Sequence, residues 1–296
     1  MTTPKSKRPQ LVCFLGTSCF IFLFSASALG LNCSQEKSDL RGPVKSLKQR
    51  QYDLSSPWAI VSTWEYDRMG KEIKVMSGGE REGVPISSIT ANNNFDDLGW
   101  KISRITKRSD GSLVDKILYA YDAQGHQNAE AWYDADSFFV RLDLREFDEH
   151  GNCQKIYSYR SREPLTVFSQ RAEYQYNKLG RMVESVFWRK DGTKEINRFN
   201  AKGYLLDIRF FDATGELDHE IQMDYDVYGN EIESRTFDSK GNLTSRSIDT
   251  YEYDAEENWV KRTSKWVLKE GKPFDEITIT DRKITYYDLP DINTPN

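Results

Sequence analysis

The side chains with the widest chemical range are few: His126, His150 and His219, the acid pairs Asp134 with Asp136 and Asp148 with Glu149, and the cysteines Cys13, Cys19, Cys33 and Cys153. Each histidine falls in or just beyond a turn-forming stretch, where a solvated ring is the ordinary outcome. No Ser or Cys stands in a nucleophile motif, and no Gly-rich phosphate cradle is present. Paired carboxylates suit glycoside hydrolysis only at a defined separation, and among 46 acids such pairs arise by chance. Calcium wants about six to eight oxygens from a tight loop, and the acid spacing here matches no such loop, so turn capping accounts for these residues. The expectation is a chain with no catalytic residues, no metal and no cofactor.

Ring stacking is the remaining chemistry, because Trp and Tyr faces lie well against the apolar faces of sugar rings. Seven tryptophans stand outside the repeated motif described below, and of these Trp132 and Trp188 are the candidates for stacking on a ligand. Carbohydrate is thus one candidate partner and an envelope protein another. Nucleic acid is excluded on charge. The net charge is −5, and the first thirty residues supply Lys5, Lys7 and Arg8 without an acid, so the rest is more negative still.

Those same three cations open a targeting segment. They precede an uncharged 21-residue run, Leu11 to Leu31, that ends in the small residues Ser25, Ala26, Ser27, Ala28 and Gly30. A basic start, an apolar middle and small residues before a cut make a secretory signal, with cleavage after Ala28 or Gly30. Two alternatives stand beside it. Leu29-Gly30-Leu31-Asn32-Cys33 looks like a lipobox with Asn32 where a small residue is usual, which makes Cys33 a lipidation candidate. The run is also long enough to stay as a membrane anchor. Membrane contact is therefore expected only through this segment or a lipid on Cys33, and the chain is expected in the cell envelope or outside the cell. Residues 1–30 read as the signal peptide, 31–41 as a polar tether and 42–296 as the folded part. Cys153, just after a turn, reads as an unpaired packing thiol.

The folded part must be built by turns. An aromatic, then Asp or Asn, two variable residues and Gly recur ten times. The copies are Tyr66-Asp67 with Gly70, Phe95-Asp96 with Gly99, Tyr121-Asp122 with Gly125, Phe147-Asp148 with Gly151, Tyr176-Asn177 with Gly180, Phe199-Asn200 with Gly203, Phe211-Asp212 with Gly215, Tyr225-Asp226 with Gly229, Phe237-Asp238 with Gly241, and Tyr253-Asp254. In the last, Glu257 stands where Gly belongs, and Asn258 is the residue expected to take the left-handed conformation. Asp or Asn opens a type I turn by accepting backbone hydrogen bonds, and Gly adopts positive φ to re-enter the next strand, giving a hairpin with a glycine bulge. Successive motif aromatics lie 12 to 16 residues apart after Phe199 and 23 to 29 apart before it, so weaker turns at Asp110-Gly111, Asp134-Ala135, Asp191-Gly192 and Glu270-Gly271 fill the gaps.

Between turns the chain alternates. Tyr204, Leu206, Ile208 and Phe210 share one face and Asp207 and Arg209 the other, while Glu231, Glu233 and Arg235 oppose Ile232, Ser234 and Thr236. Period-two alternation marks half-buried antiparallel strands. The composition agrees: 13% aromatic residues favour pleated surfaces. About 17 strands at ~4.8 Å would run ~80 Å, which must twist and curl. The expected fold is all-β: tandem antiparallel hairpin repeats forming one long curved or spiralling sheet, with free edges at which a protein partner could dock.

The motif, with Gly-Asn at Gly151-Asn152, Gly229-Asn230 and Gly241-Asn242, resembles the YD-repeat (Rhs-type) family, over about residues 42 to 270. Arg41-Gly42-Pro43-Val44-Lys45-Ser46 looks like the lead-in of small bacterial proteins with such repeats. The resemblance implies a partial shell, an exported member of the family and extracellular binding, carbohydrate being one ligand class. Large members enclose a C-terminal toxin. Only Lys272 to Asn296 follow the last turn here, so toxin activity is not implied, and a toxin-system accessory or immunity role rests on family company alone.

Overall fold

The structure, a computed structural model, describes residues 40–54, 56–161, 168–267 and 276–287. The signal peptide, Cys33 and most of the tether lie outside these residues, as does the Glu270-Gly271 turn. The described part belongs to one compact unit, Glu36–Asn296.

It contains eighteen strands: β1 (Val44–Asp53), β2 (Trp58–Tyr66), β3 (Glu72–Arg81), β4 (Val84–Phe95), β5 (Lys101–Arg108), β6 (Leu113–Tyr121), β7 (Gln127–Tyr133), β8 (Phe139–Phe147), β9 (Cys153–Arg160), β10 (Gln170–Tyr176), β11 (Met182–Arg189), β12 (Lys194–Phe199), β13 (Leu205–Phe211), β14 (Leu217–Tyr225), β15 (Glu231–Asp238), β16 (Leu243–Tyr253), β17 (Trp259–Val267) and β18 (Glu276–Tyr286). Each strand pairs antiparallel with its neighbours in sequence, and β1 also pairs with β18 from Val44↔Tyr286 to Asp53↔Thr278. The sheet is a closed up-and-down barrel. This corrects the expectation of an open, spiralling sheet, and it removes the free edges on which partner docking depended.

The turns form as their residues dictate. At Asp67 the side-chain Oδ1 accepts from the N–H of Met69 (2.8 Å) and Lys71 (2.9 Å), while Gly70 N–H donates to the Asp67 carbonyl (3.0 Å). The same pair of side-chain bonds recurs at Asp96, Asp122, Asp148, Asn177, Asn200, Asp212, Asp226 and Asp238, and at the weaker turn of Asp134. The motif glycines sit at φ between +70° and +92°. In the decayed copy Glu257 itself is left-handed (φ +61°) and its N–H donates to the Asp254 carbonyl, as the glycines do. Asn258 is not left-handed, which corrects the expectation for that turn: the fourth position must turn left whatever residue occupies it, because that step re-enters the strand.

A bulge follows the turns, shifting the register at the motif aromatic, for example between Arg198 and Phe199 and between Asp224 and Tyr225. The bulge reassigns two residues that strict alternation misplaces. Leu206 is turned out, and Leu205 takes its inward place beside Ile208, Ile221 and Met223. Glu231 is swung onto the same face as Ser234, opposite Tyr225.

Burial divides the sheet into two faces. Ile156, Ser158, Asp143, Ala172, Ser185, Asn197, Ser234, Ser247 and Ser264 are all buried, and the register places them on one face. No other layer packs on the barrel among the described residues, so the covered face is the inner one. Beside apolar residues such as Ile117, Phe187 and Ile221 it carries the ion pairs Arg141–Asp143, Arg145–Glu130, Arg189–Glu195 and Arg262–Asp249. The outer face is charged too, through Arg50–Glu80, Lys74–Glu65, Arg198–Asp207, Arg235–Asp224, Arg246–Glu233 and Lys261–Glu252.

Candidate functional site

Because the strands alternate in direction, the turns after even-numbered strands gather at one end of the barrel. Eight of the ten motif copies lie there; Phe211-Asp212 and Phe237-Asp238 lie at the other end. At this end each turn is fastened to the next by the residue that follows the glycine position. Lys71 donates to the Gly99 carbonyl and sits over the Phe95 ring; Trp100 packs on Tyr121, His126 stacks on Phe147 and Tyr204 stacks on Tyr225. Asn230 and Asn258 donate to the hydroxyls of Tyr253 and Tyr286. The motif aromatics therefore alternate with these post-glycine side chains instead of lying directly against one another.

A recess of about 450 Å³ opens at this end. The β6–β7 turn supplies Asp122, Gln124 and His126, β7 supplies Asn128, β8 supplies Arg145 and Phe147, and the next turn supplies Asp148, Glu149 and Gly151. Asp122 Oδ1 accepts from the His126 backbone N–H (2.9 Å) while Oδ2 lies 3.0 Å from His126 Nδ1. The imidazole stacks on Phe147 with centroids 4.8 Å apart. Asp148 is held below the usual carboxylate range by the Asn152 side-chain amide and by the backbone N–H of Asn152 and His150. Beneath them the Arg145 side chain is 8% exposed and its Nη2 donates to Glu130 Oε2 (3.0 Å), but its Nη1 is buried without a hydrogen-bond partner.

The two tryptophans chosen from sequence are not brought together. Trp132 lies on the inner face of β7 with the Arg141 guanidinium over its ring at 4.9 Å and its Nε1 buried and unbonded. Trp188 lies on the outer face of β11 with Arg171 at 4.3 Å. Neither lines the recess. The turn residues stand where the motif puts them, as caps. Cys153 is disulfide-bonded, which corrects its reading as an unpaired thiol; the chain's other cysteines are all outside the described residues. Arg145 and Asn128 escaped the sequence reading because neither belongs to the motif. The available signal was a long polar side chain at an inward step of the alternation.

No protein-family model matches the chain, and no curated protein matches it. Among solved structures it is similar to a porin-like protein from Bacteroides uniformis, at 7% identity and a TM-score of 0.49, over 83% of this chain and 98% of that one. It is also similar to a Tc holotoxin pore chain of Photorhabdus luminescens, at 12% identity and a TM-score of 0.33, over 70% of this chain and 14% of the toxin chain. These likenesses are too distant to carry function, and the YD-repeat resemblance rests on the turn motif.

Proposed function

We propose that this chain is an exported, non-catalytic binding scaffold of the cell envelope whose barrel presents a polar inner face and one structured mouth to polar ligands, carbohydrate among them. The observation that carries this reading is the double polarity of a closed barrel. A barrel that spans a bilayer turns an apolar band outward, whereas these outer positions hold the ion pairs Arg198–Asp207, Arg235–Asp224, Arg246–Glu233 and Lys261–Glu252, which suits a wall that stands in water. A polar inner face adds little to stability, since buried ion pairs roughly offset their own desolvation, and it leaves donors and acceptors for a ligand. The recess holds a His–Asp pair but no hydroxyl or thiol nucleophile in its lining, which weighs against acyl transfer through a serine or cysteine.

The test has two parts. Cell fractionation with determination of the mature N-terminus should place the chain in the envelope or the medium, cleaved after residue 28 or 30 or beginning at Cys33. A glycan array probed with the purified chain should then show saturable binding to at least one class of saccharide. Recovery in the cytoplasm with residues 1–30 intact would end the proposal.

A further inference from the structure

At the opposite mouth, and independently of the reading above, we infer that a furrow on the inner face of β2, β3 and β4 binds a long-chain amphiphilic anion of the fatty-carboxylate class, with the alkyl chain along β3 and the carboxylate at Arg81. The register sets Ile60 opposite Gln51, and so on the same face as Thr280 and Arg262. It also aligns Trp58 with Arg81 and Val84, Ile60 with Gly79 and Ser87, and Ser77 with Ile89 and Arg108. This inner face is buried at Ile156, Ala172 and Ser185, yet Trp58 is 51% exposed, Ile60 44%, Val84 64% and Ile89 42%. These large apolar side chains stand on β2 and β4, while β3 between them turns only Gly79 and Ser77 inward past Arg81. The result is a furrow with apolar walls, running ~20 Å from Arg81 to Val75 at ~3.4 Å per residue.

Gly79 is an independent observation that points to a ligand. Its neighbour Gly78 has a structural reason, because a Cβ there would collide with the Ser87 carbonyl oxygen. At Gly79 a Cβ would meet nothing within 4 Å, and the backbone is not left-handed. The adjacent bulge places its extra residue, Ile86, on β4 and not on β3. A strand glycine that serves no bulge and no neighbouring backbone marks a place where a ligand comes close. Arg81 and Arg108 set the polarity of that ligand. Both are exposed, Arg81 over the Trp58 ring at 5.4 Å and Arg108 donating to the Ser112 hydroxyl (3.3 Å) and the Leu113 carbonyl (3.2 Å), and neither forms an ion pair among the described residues. The nearby acids Glu82 and Asp110 sit at exposed turn tips, and Asp110 accepts from the Ser112 N–H. A carboxylate therefore finds charge-assisted donors at this mouth. The concave side of a closed barrel shuts out a bilayer or a flat protein surface, whereas one alkyl chain enters lengthwise and covers the apolar walls at about 25 cal/mol per Å².

Fluorescence titration of the purified chain with cis-parinarate, followed by displacement with palmitate, butyrate and hexadecyltrimethylammonium, tests this. Cis-parinarate should bind saturably below its micellar concentration, and palmitate should displace it while butyrate and the cation do not. Gly79→Phe should weaken palmitate by about tenfold or more with the melting temperature held, because the ring occupies the furrow while the site of its Cβ is open. Arg81→Gln should weaken it by about tenfold, the loss of one charge-assisted hydrogen bond. Leu206→Ala on the outer face should leave affinity unchanged. Arg81 is exposed, so its variant stays informative if Gly79→Phe lowers stability. Palmitate binding that survives both furrow variants would overturn the site. Equal competition by hexadecyltrimethylammonium would overturn the anionic class, and the absence of saturable binding would end the inference. The glycan array reads the scaffold proposal separately, so either can fail without the other.

Discussion

At Gly70 the backbone sits at φ +78° with nothing within 4 Å of the place a Cβ would occupy, so Gly70→Ala isolates the conformational cost of the left-handed step. At Gly125 (φ +87°) the same Cβ would lie 3.1 Å from the Trp100 ring. Urea denaturation should show Gly70→Ala destabilised by about 1 kcal/mol and Gly125→Ala by about 1 kcal/mol more, each as a midpoint shift at constant slope. Equal losses would mean the Trp100 contact is not a constraint. Another residue responds to pH. Burial first, then the negative charge of Asp249, pushes the Glu231 carboxyl up to about 7 from 4.5. The folded chain therefore holds a proton that the unfolded chain releases earlier, so stability falls as pH rises from about 4.5 to about 7 and then levels. The loss is on the order of 3 kcal/mol. Glu231→Gln should be more stable than the parent at pH 8 and show a flatter dependence between pH 5 and 8; identical profiles would place Glu231 outside the barrel wall. The turn aspartates act oppositely. Asp148 and Asp238, held low chiefly by the side-chain amides of Asn152 and Asn242, contribute stability that is present above their ordinary pKa and lost as pH falls below it.

At the scale of elements, a two-stranded hairpin is marginal in water by itself, and here each is held by its neighbours at the motif-rich end. Tyr204 shows how: its ring stacks on Tyr225 at 5.1 Å, and it covers Gly229 so closely that a Cβ there would meet its hydroxyl. Tyr204→Ala should cost about 2–3 kcal/mol, read by chemical denaturation, while Leu179→Ala, at a turn position 78% exposed, should cost little. Similar losses for both would show that the turns are not fastened to one another. The hairpins themselves were legible in the sequence, because Asp-x-x-Gly fixes a turn by local hydrogen bonds and one dihedral. The inward residues after each turn were not. Counting in twos misplaces Leu206 and Glu231, because the bulge opposite the motif aromatic shifts that count.

For the whole molecule, closure is made where the start of β1 meets the end of β18. Tyr287 N–H donates to the Pro43 carbonyl (2.8 Å), and the Asn258 amide bonds both the Arg41 carbonyl (2.9 Å) and the Tyr286 hydroxyl (2.7 Å). Gly42, at φ +79°, sits against the Tyr286 ring. The two ends thus stand in for a further turn of the same rim. A circular permutant that joins residue 287 to residue 42 through a short Asn-Gly turn, with new ends at Lys240, should keep the β-type circular dichroism and the parent's oligomeric state and melt within a few degrees of the parent; failure to fold cooperatively would sink the closed barrel. An open sheet of this width would expose two unpaired edges and self-associate.

The sequence by itself determined the strands and the turns that join them, since both depend on residues within a dozen positions of one another. Tertiary structure alone decided that β1 meets β18, which end gathers the turns, and that Arg145, Asn128, Gln124 and His126 face one recess. Those outcomes hang on how much each hairpin twists and bulges, accumulated over eighteen strands, and no local stretch of residues contains that sum.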